Sequence, residues 1–266
     1  MLDAKNCRVH ISTGDMDYIR FGRGSHTLIM LPGVGDGLVT VKGKALPFAL
    51  LYRKLAKDFT VYVFSRRVGI PSGMTTREMA DDLNEAMEKL ELPGAAVVGV
   101  SQGGMIAQWL AINHPDKVDK LVLTVTLARP NDVIKDVVGH WLDLADRGDY
   151  KGIMVDTAER SYSPARLKAA RLEYKLLGNF GKPKSFDRFR VEAESCITHD
   201  AYDKLDTISC QVLVIGGTDD RIVTGQASEE MTERIPGSEL YMYEGLGHGL
   251  YEEAPDFLTR VADFCR

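Results

Sequence analysis

The segment Gly99-Val-Ser101-Gln-Gly103 places a serine between two glycines, directly after the apolar run Ala95–Val100 and before a helix-like stretch that continues to Asn113. A strand, a tight turn and a helix in this order can expose a serine hydroxyl at the edge of a sheet. The helix N-terminus behind it favours developing negative charge. The alternative is a glycine-rich turn that holds a phosphate or nothing at all. We predict that Ser101 is a nucleophile.

A serine hydroxyl is too weakly acidic to attack unaided, so it needs a base, and the base needs an acid to orient it. His248 lies in Gly-Leu-Gly-His-Gly after the last apolar run, where it can reach a serine at the same sheet edge. Asp219 and Asp220 follow another apolar run, and position in the segment favours Asp220. The other interpretation is that one of the two aspartates only stabilises the turn. His140 and His199 fall in a helical region, where a surface role is favoured over substrate contact.

These residues follow apolar runs that recur along the chain, with amphipathic segments between them. Continuous apolar runs suit strands that are buried on both faces. The runs are Val9–Ile11, Tyr18–Phe21, His26–Met30, Thr60–Phe64, Ala95–Val100, Leu121–Val125, Gln211–Ile215 and Glu239–Tyr243. The sequence therefore predicts an α/β fold with a doubly wound, mostly parallel sheet of about eight strands, whose N-terminal hairpin is antiparallel.

Residues 129–203 interrupt this alternation, because they contain helical patterns and no convincing strand. Asn131 is suited to cap a first helix, Ser163-Pro164 forms a good N-cap and N1 pair for a second, and a third is predicted from Ser185. Such a segment between two sheet strands suggests a lid. The predicted division is a core of residues 1–128 and 204–266, with residues 129–203 inserted as a helical cap or lid.

The chain resembles the α/β-hydrolase fold superfamily over nearly its full length. Gly-Thr-Asp-Asp-Arg-Ile-Val resembles the acid motif of that family, and Gly-Leu-Gly-His-Gly resembles its histidine turn. Asn-His-Pro-Asp-Lys-Val-Asp-Lys-Leu-Val-Leu resembles its link from the elbow helix to the next strand. The order Ser, Asp, His along the chain is typical of the family. The resemblance implies a serine hydrolase with a helical lid, in which Ser101, Asp220 and His248 form the catalytic triad.

The resemblance also gives a role to the glycine-rich segment Leu31-Pro-Gly-Val-Gly-Asp-Gly37. It implies an oxyanion hole formed by the backbone N–H groups of Val34 and Gln102. The family commonly has His-Gly-x-Gly here, whereas this chain has Pro32-Gly-Val-Gly, so the support of the loop departs from the family pattern. A phosphate cradle is disfavoured, because the spacing is neither GxGxxG nor a P-loop and Asp36 would repel an anion.

The implied chemistry is two-step acyl transfer on a small carboxylic ester or related acyl compound, as in the carboxylesterases of class EC 3.1.1. Carbon–carbon bond hydrolases, lactonases, thioesterases and acyltransferases use the same triad and stay open. So does a ligand receptor that keeps this fold without turnover. Arg66 and Trp141 are candidate substrate contacts, although a solvated or ion-paired loop role is the favoured interpretation of Arg66. Further aromatic residues that could line a pocket are Tyr150, Tyr162, Tyr174 and Phe180.

Composition limits the class of partner. The 266 residues are 44% hydrophobic and carry a net charge of −5, which argues against nucleic acid as the main partner. No apolar stretch has the length of a signal peptide or a membrane span, and the four cysteines form no CxxC pair. We therefore expect a cytoplasmic protein that acts on a small molecule, with no cofactor, no metal ion and no membrane partner. The sequence does not indicate the oligomeric state.

Overall fold

The computed structural model describes residues 2–177 and 181–266, and at residue 172 and residues 174–177 it describes the helical backbone alone. Phe180 and the side chain of Tyr174, both considered as pocket residues, lie outside that description. The strands are β1 (Lys5–Ile11), β2 (Gly14–Phe21), β3 (His26–Leu31), β4 (Phe59–Arg67), β5 (Ala95–Val100), β6 (Val118–Thr124), β7 (Gln211–Gly217) and β8 (Glu239–Tyr243). The helices are α1 (Ala45–Leu51), α2 (Thr76–Lys89), α3 (Gln102–Asn113), α4 (Asp132–Asp146), α5 (Tyr150–Ser161), α6 (Pro164–Leu177), α7 (Asp187–Thr198), α8 (Gly225–Arg234), α9 (Leu250–Glu253) and α10 (Phe257–Cys265).

All eight strands form one sheet in the order β1-β2-β4-β3-β5-β6-β7-β8. β2 pairs antiparallel with both β1 and β4, and every pair from β4 to β8 is parallel. This confirms the predicted sheet and its antiparallel N-terminal hairpin. β5 lies near the centre, between β3 and β6, so the turn after β5 opens at the middle of the carboxyl edge. Ligand sites of open parallel sheets form at this edge.

Helices cover both faces of the sheet, which explains why the strands read as continuous apolar runs. α2 and α3 pack on one face, against Ile29, Val97 and Leu121. α1, α9 and α10 pack on the other face, against the neighbouring residues Leu28, Val98 and Val122. Successive side chains of a strand point to opposite faces, so each of these strands contributes to two cores.

Four helices, α4 to α7, connect β6 to β7, and the described residues of that connection contain no strand. Asn131 caps α4 by accepting the N–H of Ile134 at 2.9 Å, and α6 begins at Pro164 as its sequence signal indicates. α5 was not among the three predicted helices, because the sequence YKGIMVDTAERS has only a weakly amphipathic pattern. α4, α5 and α7 contribute to one buried cluster that also contains Met105 and Leu127. Their separation from the core as a lid stays a prediction.

None of the described helices is long and apolar enough to cross a bilayer. The four cysteines are all free thiols in the structure.

Candidate active site

Ser101 lies on a strained turn between β5 and α3, with φ 54° and ψ −121°. A residue other than glycine seldom adopts a positive φ, and holding one there costs on the order of 1–3 kcal/mol. The flanking glycines are required by packing. A Cβ at Gly99 would lie 2.5 Å from the carbonyl oxygen of Gly103, and a Cβ at Gly103 would collide with the carbonyl oxygen of Leu31. The predicted strand, tight turn and helix are therefore all present around this serine.

His248 and Asp220 form a buried pair, in which Nδ1 of the imidazole lies 2.8 Å from Oδ2 of the carboxylate. The other oxygen, Oδ1, accepts the backbone N–H groups of Ile222 at 2.8 Å and Val223 at 3.0 Å. Burial alone would raise the pKa of Asp220, but the charge of His248 and these hydrogen bonds outweigh it and lower the pKa. The carboxylate is therefore ionised and holds Nδ1, which leaves Nε2 as the nitrogen that can take a proton.

The carboxylate of Asp219, the preceding residue, does not lie near His248. Asp219 is exposed, and its Oδ1 accepts the hydroxyl of Thr218 at 3.3 Å. Of the two aspartates that the sequence offered, the structure thus brings Asp220 to His248 and leaves Asp219 at the surface.

Ser101 and His248 line one cavity of about 260 Å³, and the insertion supplies part of its wall through Trp141, Thr157 and Ser161. The indole N–H of Trp141 donates to Asp156 at 2.8 Å, which fixes the ring in the wall. Trp141 therefore lies where the predicted substrate contact requires, and the contact itself stays a prediction. Two other aromatic residues that the sequence suggested for the pocket do not line this cavity. Tyr150 packs in the core of the insertion, and the ring of Tyr162 lies under the guanidinium of Arg166.

Two backbone N–H groups are candidate oxyanion donors: that of Val34, which lines the same cavity, and that of Gln102, which directly follows Ser101. Gln102 is the first residue of α3, so its N–H has no acceptor within the helix. Val34 is the first residue of a 3-10 turn that ends at Gly37, and it follows Gly33, whose backbone is extended (φ −72°, ψ −171°). In the described chain the hydrogen bonds of this turn start from Asp36 and later residues and leave the Val34 N–H out. Two such donors near a nucleophile suit an oxyanion.

The three glycines of the segment 31–37 are not equivalent. A Cβ at Gly33 would lie 3.2 Å from the Cβ of Ser101, so glycine lets this loop approach the serine. A Cβ at Gly37 would lie 2.7 Å from the Cα of Phe189 in α7, so glycine there lets the insertion pack on the loop. A Cβ at Gly35 would meet nothing within 4 Å. Packing therefore requires two of the three glycines.

Arg66 is buried behind this loop, with 4% of its surface exposed, and it is not among the residues that line the cavity at Ser101. Its Nη2 donates to the carbonyl oxygen of Pro32 and to Oε1 of Gln102, both at 2.6 Å. One guanidinium therefore links the two segments that carry the candidate N–H donors. This geometry argues against the predicted substrate contact by Arg66, because the side chain is buried and its Nη2 already donates to two protein acceptors. It fits the favoured interpretation of a loop role, although the acceptors are neutral oxygens and the carboxylate nearest the guanidinium, that of Glu192, lies 3.9 Å away.

α7 extends this support with a buried charge network. Arg188 lies 2.6 Å from Oδ2 of Asp36 and 3.0 Å from Oε1 of Glu192, and Arg66 lies 3.9 Å from Oε2 of Glu192. The side-chain amide of Gln102 donates to the carbonyl oxygen of Glu192 at 2.6 Å. The sequence shows only that Arg188 and Glu192 are one helical turn apart, so their partners could not be foreseen.

Glu192 is fully buried, and burial raises its pKa to about 8. The negative charge of Asp36 adds to this effect, while Arg66 and Arg188 oppose it. Between the unfolded pKa of 4.5 and about 8, the folded state keeps a proton that the unfolded chain releases. The contribution to stability is therefore complete below pH 4.5 and is lost as the pH rises towards 8.

We expect Glu192→Gln to remove this pH dependence. The free energy of unfolding is measured by urea denaturation at several pH values. Between pH 4.5 and about 8, that of the wild type should fall relative to that of the variant as the pH rises, by up to about 1.4 kcal/mol per pH unit. Glu194→Gln, at an exposed position of the same helix, is the matched control and should follow the wild type. If the free energy of unfolding varied with pH in the same way for the wild type and Glu192→Gln, the raised pKa of Glu192 would be contradicted.

His199 differs from its prediction as a surface residue, because it is buried between α2 and α3. Its Nδ1 lies 2.8 Å from Oγ1 of Thr76, and its Nε2 lies 3.3 Å from Oε1 of Gln108. Burial lowers the pKa of His199 to about 3, so the ring is neutral at physiological pH. This histidine is a structural residue of the core.

Comparisons with known proteins point to one family. A family model described as alpha/beta hydrolase fold matches residues 26–151. The chain is 33% identical to "Putative carbamate hydrolase RutD" of Caulobacter sp. (strain K31), over 90% of each chain. It is 27% identical to "2-hydroxy-6-oxononadienedioate/2-hydroxy-6-oxononatrienedioate hydrolase 1" of Dechloromonas aromatica (strain RCB), over 96% of this chain and 93% of that protein. Among solved structures it resembles MGS-M2, an alpha/beta hydrolase enzyme from a Medee basin deep-sea metagenome library, with a TM-score of 0.85 and 21% identity over 97% and 96% of the two chains.

Proposed function

Because the chain belongs to the α/β-hydrolase fold family, we propose that it is a serine hydrolase that cleaves a small carboxylic ester or a related acyl compound. One observation carries the proposal. Ser101 on its strained turn and His248, held by the Asp220 carboxylate at 2.8 Å, line the same cavity. A nucleophile, a base and an acid that orients the base are the parts that acyl transfer needs.

The reaction proceeds in two steps. His248 takes the Ser101 proton through Nε2 as the hydroxyl attacks the carbonyl carbon, and Asp220 stabilises the imidazolium that forms. The oxyanion of the tetrahedral intermediate is held by the N–H groups of Val34 and Gln102. The intermediate collapses when His248 protonates the leaving alcohol, which leaves an ester on Ser101. Water activated by the same histidine then attacks this ester and releases the carboxylic acid.

The names of the relatives favour two neighbouring reactions as second candidates. A carbamate has a carbonyl carbon that the same serine can attack, and one relative is named for carbamate hydrolysis. Another is named for the hydrolysis of unsaturated dioates, which carry two carboxylates. Among the described side chains that line the cavity, Lys44 is the cation that could pair with such a group. Lactones and thioesters suit the same geometry. A receptor role predicts tight binding without turnover.

A hydrolysis screen tests the proposal. The folded protein is assayed with p-nitrophenyl acetate, a lactone, an acyl thioester, a carbamate ester and an unsaturated dioate, with Ser101→Ala as the blank. We expect turnover of at least one substrate, together with covalent labelling by a fluorophosphonate that maps to Ser101 and is absent in the blank. Inactivity towards all five substrates and no labelling would overturn the proposal.

Arg66 is expected to matter through the donors that it positions. Arg66→Met removes the bonds to Pro32 and Gln102 and should lower kcat about 10- to 100-fold, because a misplacement of about 1 Å can cost 10²-fold. KM should change by no more than a few-fold, since Arg66 does not line the cavity at Ser101. A residue that bound substrate directly would raise KM instead.

Arg67→Met is the matched control for this prediction. Arg67 is the next residue of β4, and its guanidinium lies 3.4 Å from Asp82 on α2, away from the loop. This variant should keep kcat within a few-fold of the wild type. Thermal unfolding of both variants separates lost activity from lost fold, and Arg66→Lys should restore part of the rate by donating to the same acceptors.

A further inference from the structure

A second cavity adjoins the one at Ser101. Its volume is about 610 Å³, compared with about 260 Å³ for the first. The two share lining residues, among them Gly33, Val100 and Tyr251, so they lie side by side at the carboxyl edge of the sheet. A volume of this size lies within the range of about 300–1,000 Å³ that is typical of ligand sites. The space beside the serine is therefore larger than a short acyl group requires.

The walls of the second cavity are apolar. The inner wall is made by buried side chains of three strands, Met30, Val63 and Val98. The outer wall is made by α1 on one side and by the C-terminal helices on the other, with Leu51 and Ala254 as representatives. Such a surface favours the transfer of hydrocarbon from water and offers little to a polar ligand.

The charged groups of this cavity are Arg166 and Glu252, and both have partners within the protein. The guanidinium of Arg166 lies 5.0 Å from the ring centre of Tyr162 and pairs with Glu173 at 3.3 Å. Glu252 accepts the hydroxyl of Tyr162 at 2.8 Å. Burial raises the pKa of Tyr52, which also lines the cavity, to about 12, and the charge of Glu252 adds to the effect. None of these groups calls for a charged ligand.

We propose that the second cavity binds an extended apolar arm of the substrate, so that the favoured substrates are esters of medium-chain aliphatic or arylalkyl groups. The chemical step rests on the proposed function, whereas the binding of an apolar chain does not. Each methylene that enters the cavity can strengthen binding by up to about fourfold, which corresponds to about 0.8 kcal/mol.

Chain-length dependence tests the proposal. For the wild type, kcat/KM should rise about 10- to 100-fold from p-nitrophenyl acetate to p-nitrophenyl octanoate if part of each methylene is buried. Octyl acetate and ethyl acetate, compared in the same way, show whether the cavity takes the alcohol arm instead. A wild type that prefers the short ester in both series would overturn the proposal.

Two variants narrow the cavity from opposite walls, Leu51→Trp on α1 and Ala254→Phe after α9. Each should lower the octanoate-to-acetate ratio about tenfold and keep the acetate rate within about twofold, since neither position lines the cavity at Ser101. The matched control is Leu50→Trp, because Leu50 lies on the same helix and is exposed to a similar extent (50%, against 65% for Leu51) but does not line the second cavity. A ratio that both lining variants leave unchanged would contradict the assignment.

Direct binding separates this inference from the proposed function. Ser101→Ala should bind 1-octanol in a calorimetric titration and should not bind ethanol, and adding Ala254→Phe should weaken the binding about tenfold. If octanol binds in this way but no ester is hydrolysed, the proposed function fails and the apolar site stands. If esters are hydrolysed without chain-length preference and octanol does not bind, the apolar site fails and the function stands.

Discussion

Replacement of Asp220 by asparagine is expected to lower kcat for ester hydrolysis by about 10⁴-fold, as the loss of the orienting acid does in serine proteases. The geometry of this chain makes the effect severe. Oδ1 is held by the N–H groups of Ile222 and Val223, so the carbonyl oxygen of an asparagine stays on that side. Its NH₂ group then faces Nδ1 of His248 and donates to it, which stabilises the tautomer that cannot accept the serine proton through Nε2.

Asp219→Asn is the matched control, because it makes the same change one residue earlier on an exposed side chain. We expect its kcat to stay within about twofold of the wild type, since surface substitutions away from special features have small effects. Stopped-flow or steady-state hydrolysis of p-nitrophenyl acetate measures both variants. Equal losses in the two, or less than about a tenfold loss in Asp220→Asn, would mean that Asp220 does not orient the base.

Val34→Pro is expected to lower kcat by about 10²- to 10³-fold with little change in KM, because it removes one donor from the oxyanion. Proline removes the N–H and fixes φ, and both changes are tolerated at the start of a helical turn. Val34 is the first residue of a 3-10 turn, where a backbone N–H has no acceptor within the turn, and Gly33 before it has the extended backbone that a residue preceding proline needs. The substitution therefore deletes the donor with little strain elsewhere.

Val34→Ala keeps the N–H and shortens the side chain, so it separates the backbone group from the valine methyls. Its kcat should stay within a few-fold of the wild type, and the thermal midpoints of both variants show whether the loop is intact. If Val34→Pro were as active as Val34→Ala, the Val34 N–H would not be an oxyanion donor.

The strands were predictable because their signal is local. Runs such as Ala95–Val100 are apolar without interruption, and in the structure that strand is covered by helices on both faces. The turn at Ser101 was predictable for a similar reason, since its neighbours Gly99 and Gly103 have no space for a Cβ and only glycine satisfies that restriction. For the strand and for Gly99 the residue type follows from geometry within a few residues, whereas Gly103 is restricted by the carbonyl oxygen of Leu31, which is distant in the chain.

The role of Arg66 was not predictable, because a strand-end arginine can point into a cavity or behind it, and spacing does not distinguish the two. Its acceptors, Pro32 and Gln102, are more than thirty residues away in the chain. Gly37 is a similar case, since its partner Phe189 belongs to the insertion. The second cavity also has no local signal, because its walls come from strands and helices that are distant in sequence.

The loop at Pro32 is supported by a hydrogen bond from Arg66. The family commonly has a histidine at this position, and in this chain the carbonyl oxygen of Pro32 is held by Arg66 instead. The donor is main-chain in either arrangement, so the side chain at position 32 can differ while the N–H groups keep their places.

The ties between α7 and the core bear on how a substrate could enter. The backbone of α7 touches Gly37 at Phe189, Arg188 is paired with Asp36, and the carbonyl oxygen of Glu192 holds the side chain of Gln102. Lifting α7 would separate Arg188 from Asp36 and remove the carbonyl oxygen that holds the side chain of Gln102. If the insertion opens as the predicted lid, α7 is the part that we expect to stay on the core, so that Ser101 and the loop that carries Val34 keep their positions.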